Sequence, residues 1–204
     1  MVIKRFPVGE YFSNSYVVYD NKKAFIVDAG YKSDALEYFV EKNELEIVYV
    51  LLTHGHFDHI LACEYYREKY NCDIVIGETE AKQILLLNKG FDYDIDNLDI
   101  SSYCLVNDGD VISVGNMDVK VIATPGHTSG GVCYLLDDNL FSGDTLFNMS
   151  IGRTDFYSGN FEEISKSIMK LYKLSEETKV YPGHGFTTKI GYEKTNNPFV
   201  RGDS

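Results

Sequence analysis

Three histidines and an aspartate stand within six residues of one another, directly after a strongly apolar run. The segment Thr53–His59 reads Thr-His-Gly-His-Phe-Asp-His and follows the run Ile47–Leu52. Because a strand that runs out into a loop keeps its alternation of sides, His54 and His56 can point the same way toward one metal ion. Neutral imidazole and carboxylate together suit zinc, and also iron or manganese. The alternative interpretation is a surface turn rich in polar residues.

The rest of the same segment can serve a second ion. If the chain turns into a helix near Phe57, then Asp58 and His59 swing round toward a second ion beside the first. One loop could therefore hold two metals.

The composition is that of an ordinary globular protein. Hydrophobic residues make up 44% of the 204 residues and aromatic residues 14%. A single domain over residues 1–204 can bury about 70% of the surface that its unfolded chain would expose. The net charge of -12 disfavours nucleic acid and anionic membrane surfaces as partners. The oligomeric state is not readable from the sequence.

The cysteines and the first residues bear on the compartment. The four cysteines form no Cys-x-x-Cys pair, and we expect them to be reduced and buried, as in a reducing cytosol. They are Cys63, Cys72, Cys104 and Cys133. The first residues lack the apolar core of a signal peptide, and no apolar run approaches the ~18 residues of a membrane span. We therefore expect a cytoplasmic location without a membrane anchor.

Apolar periodicity and turn residues predict strands and helices along the whole chain. Strands are predicted at 16–19, 24–27, 47–52, 74–76, 111–114, 119–122, 132–136, 140–141 and 179–181. Helices are predicted after Asp34, which forms a capping-box pattern with Glu37, from Asp58 to Tyr70, after Thr79 and after Asn160. Runs of strands with helices outside favour two sheets packed face to face between helical layers.

Both halves of the chain follow the same order of elements: strands, an aspartate at a strand end, a helix, and a strand that feeds a histidine loop. The aspartates are Asp28 and Asp144, and the loops begin at His54 and His184. This order predicts an internal duplication, which no residue-level self-similarity accompanies.

The segment 88–102 interrupts the pattern with aspartates spaced among apolar residues. They are Asp92, Asp94, Asp96 and Asp99. Because the segment lacks the glycine and the closing glutamate of an EF-hand, we favour a solvated surface excursion over a calcium loop.

Three further residues of the ligand type each follow a glycine near the end of an apolar strand. They are His127, Asp144 and His184. Glycine permits a tight turn, so these side chains can be aimed into a shared cleft at one edge of the sheets. All five histidines of the chain lie in these motifs or in Thr53–His59, whereas structural histidines would be scattered. The pattern therefore predicts one metal site built from distant parts of the chain.

These motifs, in this order and along nearly the whole chain, resemble those of the metallo-β-lactamase superfamily. The residues that carry the resemblance are the His-x-His-x-Asp-His segment 54–59, His127, the aspartate of Ser142–Thr145 and His184. Smaller signs are Asn14, Asp28 and Thr53. Three segments look most like the glyoxalase II-like hydrolases: Gly143–Phe147, Gly152–Asp155 and Asn197–Phe199.

The resemblance implies an α/β fold, a four-layer αβ/βα sandwich, that holds two divalent metal ions, with zinc preferred over iron or manganese. Three histidines would hold the first ion, an aspartate and two histidines the second, and a further aspartate would bridge them. In that order these residues are His54, His56 and His127; Asp58, His59 and His184; and Asp144. Asp28 and Thr53 would orient the segment Thr53–His59, which we call the ligand loop, from behind. Ordinary turn hydrogen bonds are the alternative role for Asp28.

The chemistry that the resemblance implies is hydrolysis of a small thioester. Metal binding can lower the pKa of water from 15.7 to about 7, so a bridging hydroxide can attack an acyl carbonyl. Asp58 and Asp144 take part as ligands, and Asp58 could also orient the hydroxide. Arg153 and Tyr157 fall where the family binds its small-molecule substrate. Arg153 could meet a carboxylate, or it could form a salt bridge within its own loop.

Other functions stay open beside this one. The chain ends at Ser204, without the C-terminal helical domain of glyoxalase II, which argues against strict glutathione specificity. A mononuclear iron persulfide dioxygenase of the same superfamily would use only His54, His127 and Asp144. A non-catalytic metal-binding member is a third possibility. The missing export signal disfavours a lactamase, and the acidic charge disfavours a nuclease or phosphodiesterase.

We predict that Asp144→Ala abolishes both metal retention and turnover, because this residue would bridge the two ions. Asp94→Ala, in the acidic segment 88–102, should change neither. Metal analysis of the purified variants and a hydrolysis assay on the same samples test this. Wild-type turnover in the Asp144 variant would refute the assignment.

Overall fold

The computed structural model describes residues 1–93, 95 and 97–202, which form two six-stranded β-sheets and seven α-helices. The first sheet contains β1 Val2–Val8, β2 Ser13–Asp20, β3 Lys23–Val27, β4 Glu46–Leu51, β5 Asp73–Gly77 and β6 Cys104–Val106, in that spatial order. The second runs β14-β13-β10-β9-β8-β7 and contains β7 Val111–Val114, β8 Met117–Ala123, β9 Val132–Leu136, β10 Asn139–Gly143, β13 Lys179–Pro182 and β14 Thr188–Lys189.

The remaining elements lie outside the two sheets. A small ribbon consists of β11 Leu146–Phe147 and β12 Ser150–Ile151. The helices are α1 Asp34–Lys42, α2 Phe57–Ile60, α3 Cys63–Tyr70, α4 Glu78–Ala81, α5 Ile84–Leu87, α6 Phe161–Leu171 and α7 Ile190–Asn196. Within the described residues, no helix is both long and apolar enough to cross a membrane.

The alternation of side chains along β3 separates the layers of the molecule. Ala24 and Ile26 pack against the helical side, in a core that also contains Leu36 of α1. Phe25 and Val27 point the other way, into a core shared with the second sheet. A third core lies between the second sheet and helices α6 and α7. The order helices, sheet, sheet, helices confirms the predicted α/β sandwich.

Two parallel strand pairs bring the site residues to one edge of the sandwich. Strand β3 pairs in parallel with β4, and β10 pairs in parallel with β13. Because parallel strands end at the same edge, Asp28 lies beside the segment that starts at Thr53, and Asp144 lies beside the segment that contains His184. The same relation occurs in both halves of the chain, and the internal duplication itself stays a prediction.

The predicted helix from Asp58 to Tyr70 is wrong in one respect, because it is interrupted between α2 and α3. The peptide of Ala29 causes the interruption. Its N–H donates to the His59 carbonyl at 2.8 Å, and its carbonyl accepts from the Ala62 N–H at 2.8 Å. These bonds replace those of a continuous helix and tie the ligand loop to the end of β3.

Three other local predictions were also wrong, and one was confirmed. The cap of α1 is Ser33, whose hydroxyl accepts from the Leu36 N–H, and not Asp34. The helix predicted after Thr79 consists of the two single turns α4 and α5. Cys104 is exposed, whereas the other three cysteines are buried and all four are free. The predicted cap at Asn160 is confirmed, since it accepts from the Glu163 N–H at 3.1 Å.

The excursion 88–102 is only partly solvated. Asp92 and Asp99 are exposed, but the ring of Tyr93 stacks on Phe57 at 4.1 Å between centroids. Asp94 and Asp96 lie outside the described residues, so the control variant at Asp94 rests on the sequence alone.

Two buried tyrosines bond one sheet to the other beneath the site. Tyr134 of β9 donates to the Leu52 carbonyl at 2.8 Å, and Tyr16 of β2 donates to the Pro182 carbonyl at 2.7 Å. Leu52 directly precedes the segment Thr53–His59, and Pro182 directly precedes the turn that contains His184. The tyrosines therefore fix the spacing of the sheets where the ligands emerge.

We predict that Tyr134→Phe lowers the free energy of unfolding by about 1–3 kcal/mol, because the buried Leu52 carbonyl loses this donor. Urea denaturation of chelator-treated protein measures the loss. Tyr38→Phe removes a hydroxyl from an exposed side chain and serves as the matched control. A loss in Tyr134→Phe no larger than in the control would contradict the role of this bond.

Candidate metal centre

Three histidines form the first set of donor atoms. The loop after β4 supplies His54 and His56, and the turn after β8 supplies His127. All three are buried, and their ring nitrogens lie within 4.8 Å of one another. The Nδ1 of His56 lies 2.9 Å from the Nε2 of His127. The structure thus brings these predicted site residues together.

An aspartate and two histidines form the second set. The Nε2 of His184 lies 3.2 Å from the Oδ2 of Asp58 and 3.3 Å from the Nε2 of His59. Asp58 and His59 belong to α2, while His184 follows β13. These side chains were also predicted to share one site, and the structure brings them together.

Asp144 lies between the two sets. Its Oδ1 is 3.5 Å from the Nε2 of His59, and its Oδ2 is 3.6 Å from the Nε2 of both His127 and His184. A side chain at Gly183 would collide with Asp144 Oδ1, so glycine is required for this close approach. The carboxylate can therefore contact ions held by either set.

The donor atoms fit a pair of divalent ions. Two donors about 2.05 Å from one ion and about 90–110° apart are separated by roughly 2.9–3.4 Å. The contact of His56 with His127, at 2.9 Å, and those of His184 with Asp58 and His59, at 3.2 and 3.3 Å, lie in this range. The Nε2 of His54 and the Oδ1 of Asp144 are buried and have no hydrogen-bond partner among the described residues. Orphaned polar atoms of this kind are costly unless they bind a ligand or an ion. Mixed nitrogen and oxygen donors suit zinc, iron or manganese.

The imidazole rings are held from behind so that the donor nitrogens face the cleft. His127 Nδ1 lies 2.7 Å from the Arg153 carbonyl, and His184 Nδ1 lies 3.2 Å from the Tyr11 carbonyl. A carbonyl accepts only from a protonated nitrogen, so both rings carry their proton on Nδ1 and present Nε2 as the donor.

Asp28 and Thr53 hold the remaining part of the loop. The Asp28 carboxylate accepts from the Thr53 N–H and hydroxyl, both at 2.8 Å, and lies 2.9 Å from His59 Nδ1. The Thr53 hydroxyl lies 3.1 Å from His54 Nδ1. With both oxygens engaged in this way, Asp28 orients the loop more readily than it coordinates an ion.

The electrostatics of the two sets differ. Burial lowers the pKa of His56 to about 3, and the nearby His127 adds to the effect. Burial alone would lower the pKa of His59, but the carboxylates of Asp58, Asp144 and Asp28 raise it to about 10. His54 and His56 therefore present neutral imidazoles, whereas the carboxylates around His59 provide negative charge that favours a cation.

Two side chains that hold the ligand loop were not predicted from the sequence. Glu80 is fully buried and accepts from the Gly55 N–H at 2.7 Å and from the Gly130 N–H at 3.1 Å. Asn88 accepts from the Phe57 N–H at 2.7 Å and donates to the Gly55 carbonyl at 2.7 Å. Together they fix the backbone on both sides of His56.

A signal for these residues exists in the sequence. Glu80 and Asn88 stand four residues before and after Ile84, and so continue the apolar face predicted for the helix after Thr79. A carboxylate and an amide within an apolar stripe indicate buried polar partners elsewhere in the fold.

The cleft over the donor atoms has a volume of about 360 Å³. It is lined by Tyr11, His56, Phe57, Asp58, Phe91, His127, Asp144, Phe147, Arg153, Phe156 and His184. Arg153 thus reaches the cleft, but it also forms the salt bridge within its own loop, with Asp155. Tyr157 is 52% exposed and is not among the lining residues, where its neighbour Phe156 stands instead.

We predict that Asn88→Asp weakens metal binding about 10- to 100-fold, a typical cost of disturbing groups behind the ligands. The new carboxylate would face the Gly55 carbonyl, to which the amide now donates. Competition with a chromogenic chelator measures the affinity. Asn116→Asp makes the same change at an exposed turn and is the control. Equal affinities in the two variants would contradict the role of Asn88.

Several relatives match almost the whole chain. An uncharacterized protein of Mycobacterium leprae, ML0493, is 36% identical, over 99% of this chain and 100% of its own length. YqgX of Bacillus subtilis, described as a probable metallo-hydrolase, is 32% identical over 98% of each chain. The hydroxyacylglutathione hydrolase GloC of Haemophilus influenzae is 31% identical over 100% of each chain.

Solved structures share the fold. The B3 metallo-beta-lactamase BLEG-1 has a TM-score of 0.86 at 33% identity, covering 98% of this chain and 99% of its own. ETHE1 from Myxococcus xanthus has a TM-score of 0.85 at 32% identity, covering 100% and 86%. TTHA1623 in a di-iron-bound form has a TM-score of 0.82 at 27% identity, covering 97% and 100%. Since the family model of the metallo-beta-lactamase superfamily also matches residues 8–184, the chain belongs to that superfamily.

Proposed function

We propose that this chain is a dinuclear hydrolase that acts on a small thioester, with zinc in both positions. The observation that carries the proposal is the presence of two complete donor sets with Asp144 between them. The proposed ligands are His54, His56 and His127; Asp58, His59 and His184; and Asp144. The similarity to GloC, a hydroxyacylglutathione hydrolase, supports a thioester as the substrate class. The iron found in TTHA1623 makes iron the first alternative to zinc.

In the proposed reaction, one water adds across the carbon–sulfur bond and gives a carboxylic acid and a thiol. The bound ions would supply an activated water, by lowering its pKa from 15.7 to about 7, and would polarise the acyl carbonyl. Asp28 orients His59 so that its Nε2 faces Asp58, Asp144 and His184, and the Arg153 carbonyl orients His127 toward the cleft. Phe57 and Phe91 shield the same cleft from bulk solvent.

The scarcity of proton donors in the cleft favours a thioester over an amide or an ester. Outside the two donor sets and Asp144, the described lining residues that can exchange a proton are Tyr11 and Arg153. A hydrogen bond with Tyr93 raises the pKa of Tyr11, so it is a poor acid near neutral pH. A thiol has a pKa of about 8.5 and can leave as the thiolate without a general acid, whereas an amine or alkoxide needs a proton.

The second candidate is the mononuclear iron persulfide dioxygenase that the sequence left open. It would need only His54, His127 and Asp144, so Asp58 and His184 would have no role in metal binding. Their close approach, 3.2 Å between Asp58 Oδ2 and His184 Nε2, favours the dinuclear proposal. Similarity to ETHE1 does not separate the two candidate functions, because the hydrolases and the dioxygenases belong to the same superfamily.

We expect about two metal ions per chain and hydrolysis of thioesters well above that of lactones, phosphodiesters and a cephalosporin. The test is one hydrolysis screen with metal content measured on the same sample. Chelation should remove the activity, and added zinc should restore it.

Oxygen uptake with a thiol persulfide distinguishes the candidates on that same sample. One iron per chain together with oxygen consumption would overturn the hydrolase proposal. Two metals with fast cleavage of another ester class would leave the dinuclear site standing and refute the thioester.

A further inference from the structure

Aromatic rings form a continuous wall on the side of the cleft next to α2. Tyr11 packs against Phe57 at 5.3 Å between ring centroids, and Phe57 packs against Phe91 at 4.9 Å. Phe91 then reaches Phe156 at 6.3 Å. We call these four residues the aromatic wall. One side of the cleft is therefore formed by ring carbon.

Phe91 is the most exposed phenylalanine of the wall. It is 39% exposed, whereas Phe57 beside it is 5% exposed. Exposed aromatic area that lines a cavity favours an apolar ligand, since binding removes that area from water. Phe91 comes from the excursion 88–102, so this segment acquires a role as one side of the cleft.

The cation at the mouth of the cleft is already neutralised. Apart from the histidines, Arg153 is the one basic side chain among the described lining residues. Its Nε and Nη2 donate to the two carboxylate oxygens of Asp155 at 2.9 and 2.7 Å. The guanidinium also lies over the Phe156 ring, 4.0 Å from its centroid. A substrate carboxylate would therefore meet a guanidinium whose charge is already paired and whose Nε–Nη2 edge is already occupied by Asp155.

The net charge of the whole chain acts in the same direction. At -12 it repels anions as they approach the protein. The cleft volume of about 360 Å³ lies near the lower end of the range for ligand pockets, about 300–1,000 Å³. Size, wall and charge together describe a small apolar ligand.

We propose that the substrate carries an apolar acyl group, aliphatic or aromatic, which packs on the aromatic wall, and has no carboxylate at the mouth of the cleft. This inference rests on the proposed thioester hydrolase function. Arg153 and Asp155 then act as a pair that selects against anionic substrates.

The first test compares three thioesters of one uncharged thiol, N-acetylcysteamine, with the metal-loaded full chain. The acyl groups are acetyl, hexanoyl and adipoyl, the last being a hexanoyl chain that ends in a carboxylate. We expect kcat/KM for hexanoyl to exceed that for both others by about tenfold or more, because only this chain buries several methylenes without a charge. Adipoyl cleaved as fast as hexanoyl would overturn the inference.

The second test changes the wall. Phe91→Ala should reduce the preference for hexanoyl over acetyl about three- to tenfold, and Phe91→Leu should restore part of it. Leu85→Ala removes an exposed apolar side chain that does not line the cleft and is the control. An unchanged preference in Phe91→Ala would contradict the role of the wall.

The third test changes the charge. Asp155→Asn frees Arg153 and should raise the ratio of adipoyl to hexanoyl turnover about five- to tenfold. Asp138→Asn makes the same charge change at an exposed position at the other end of β10 and is the control. The same ratio in both variants would refute the selection against anions.

A binding measurement separates this inference from the proposed function. Ketone analogues, in which a methylene replaces the thioester sulfur, cannot be hydrolysed, and calorimetry gives their Kd. If no thioester is cleaved but the hexanoyl analogue binds about tenfold more tightly than the adipoyl analogue, the hydrolase proposal fails and the apolar site stands. If the thioesters are cleaved and the anionic one is preferred, the function stands and this inference fails.

Discussion

The carboxylate of Asp28 is the contact on which the order of the site depends. It accepts from the backbone and the hydroxyl of Thr53 and lies 2.9 Å from His59 Nδ1, so one buried side chain ties the start and the end of the ligand loop together. Asp28 adopts a left-handed backbone conformation, with φ at 55°, which aspartate tolerates better than most residues. Asp28 directly follows β3, and the pairing of β3 with β4 through Val27 and Leu51 sets the distance over which these bonds act.

The grouping of the candidate ligands could be predicted from the sequence because each stands at the end of a strand or in the loop and helical turn that follow one, often beside glycine. Such positions depend on local rules, namely the alternation of sides in a strand and the freedom of glycine. The layers were readable for the same reason, since the alternation in β3 alone assigns its side chains to two cores. The identity of the metals and of the substrate does not follow from these rules.

What the sequence did not reveal depends on contacts between distant segments. The interruption between α2 and α3 arises because Ala29, far earlier in the chain, takes the hydrogen bonds of a continuous helix. Glu80 and Asn88 act on Gly55 across a similar separation. The short spacing between Arg153 and Asp155 in the sequence is compatible with an ion pair. Only the structure shows that both carboxylate oxygens of Asp155 accept from the guanidinium.

The ligand loop and the aromatic wall share one residue, Phe57. Phe57 begins α2, and its N–H is held by Asn88, while its ring packs on Phe91 and Tyr93. Hydrogen bonds to the backbone thus fix the loop, and the side chain is free to shape the cleft. A change at Phe91 can therefore alter the wall without removing a hydrogen bond that holds the loop, because the Phe91 ring contacts the rings of Phe57 and Phe156. This separation explains how the same donor sets can serve substrates of different polarity, with the metal site set by strand ends and the choice of substrate set by the loops above them.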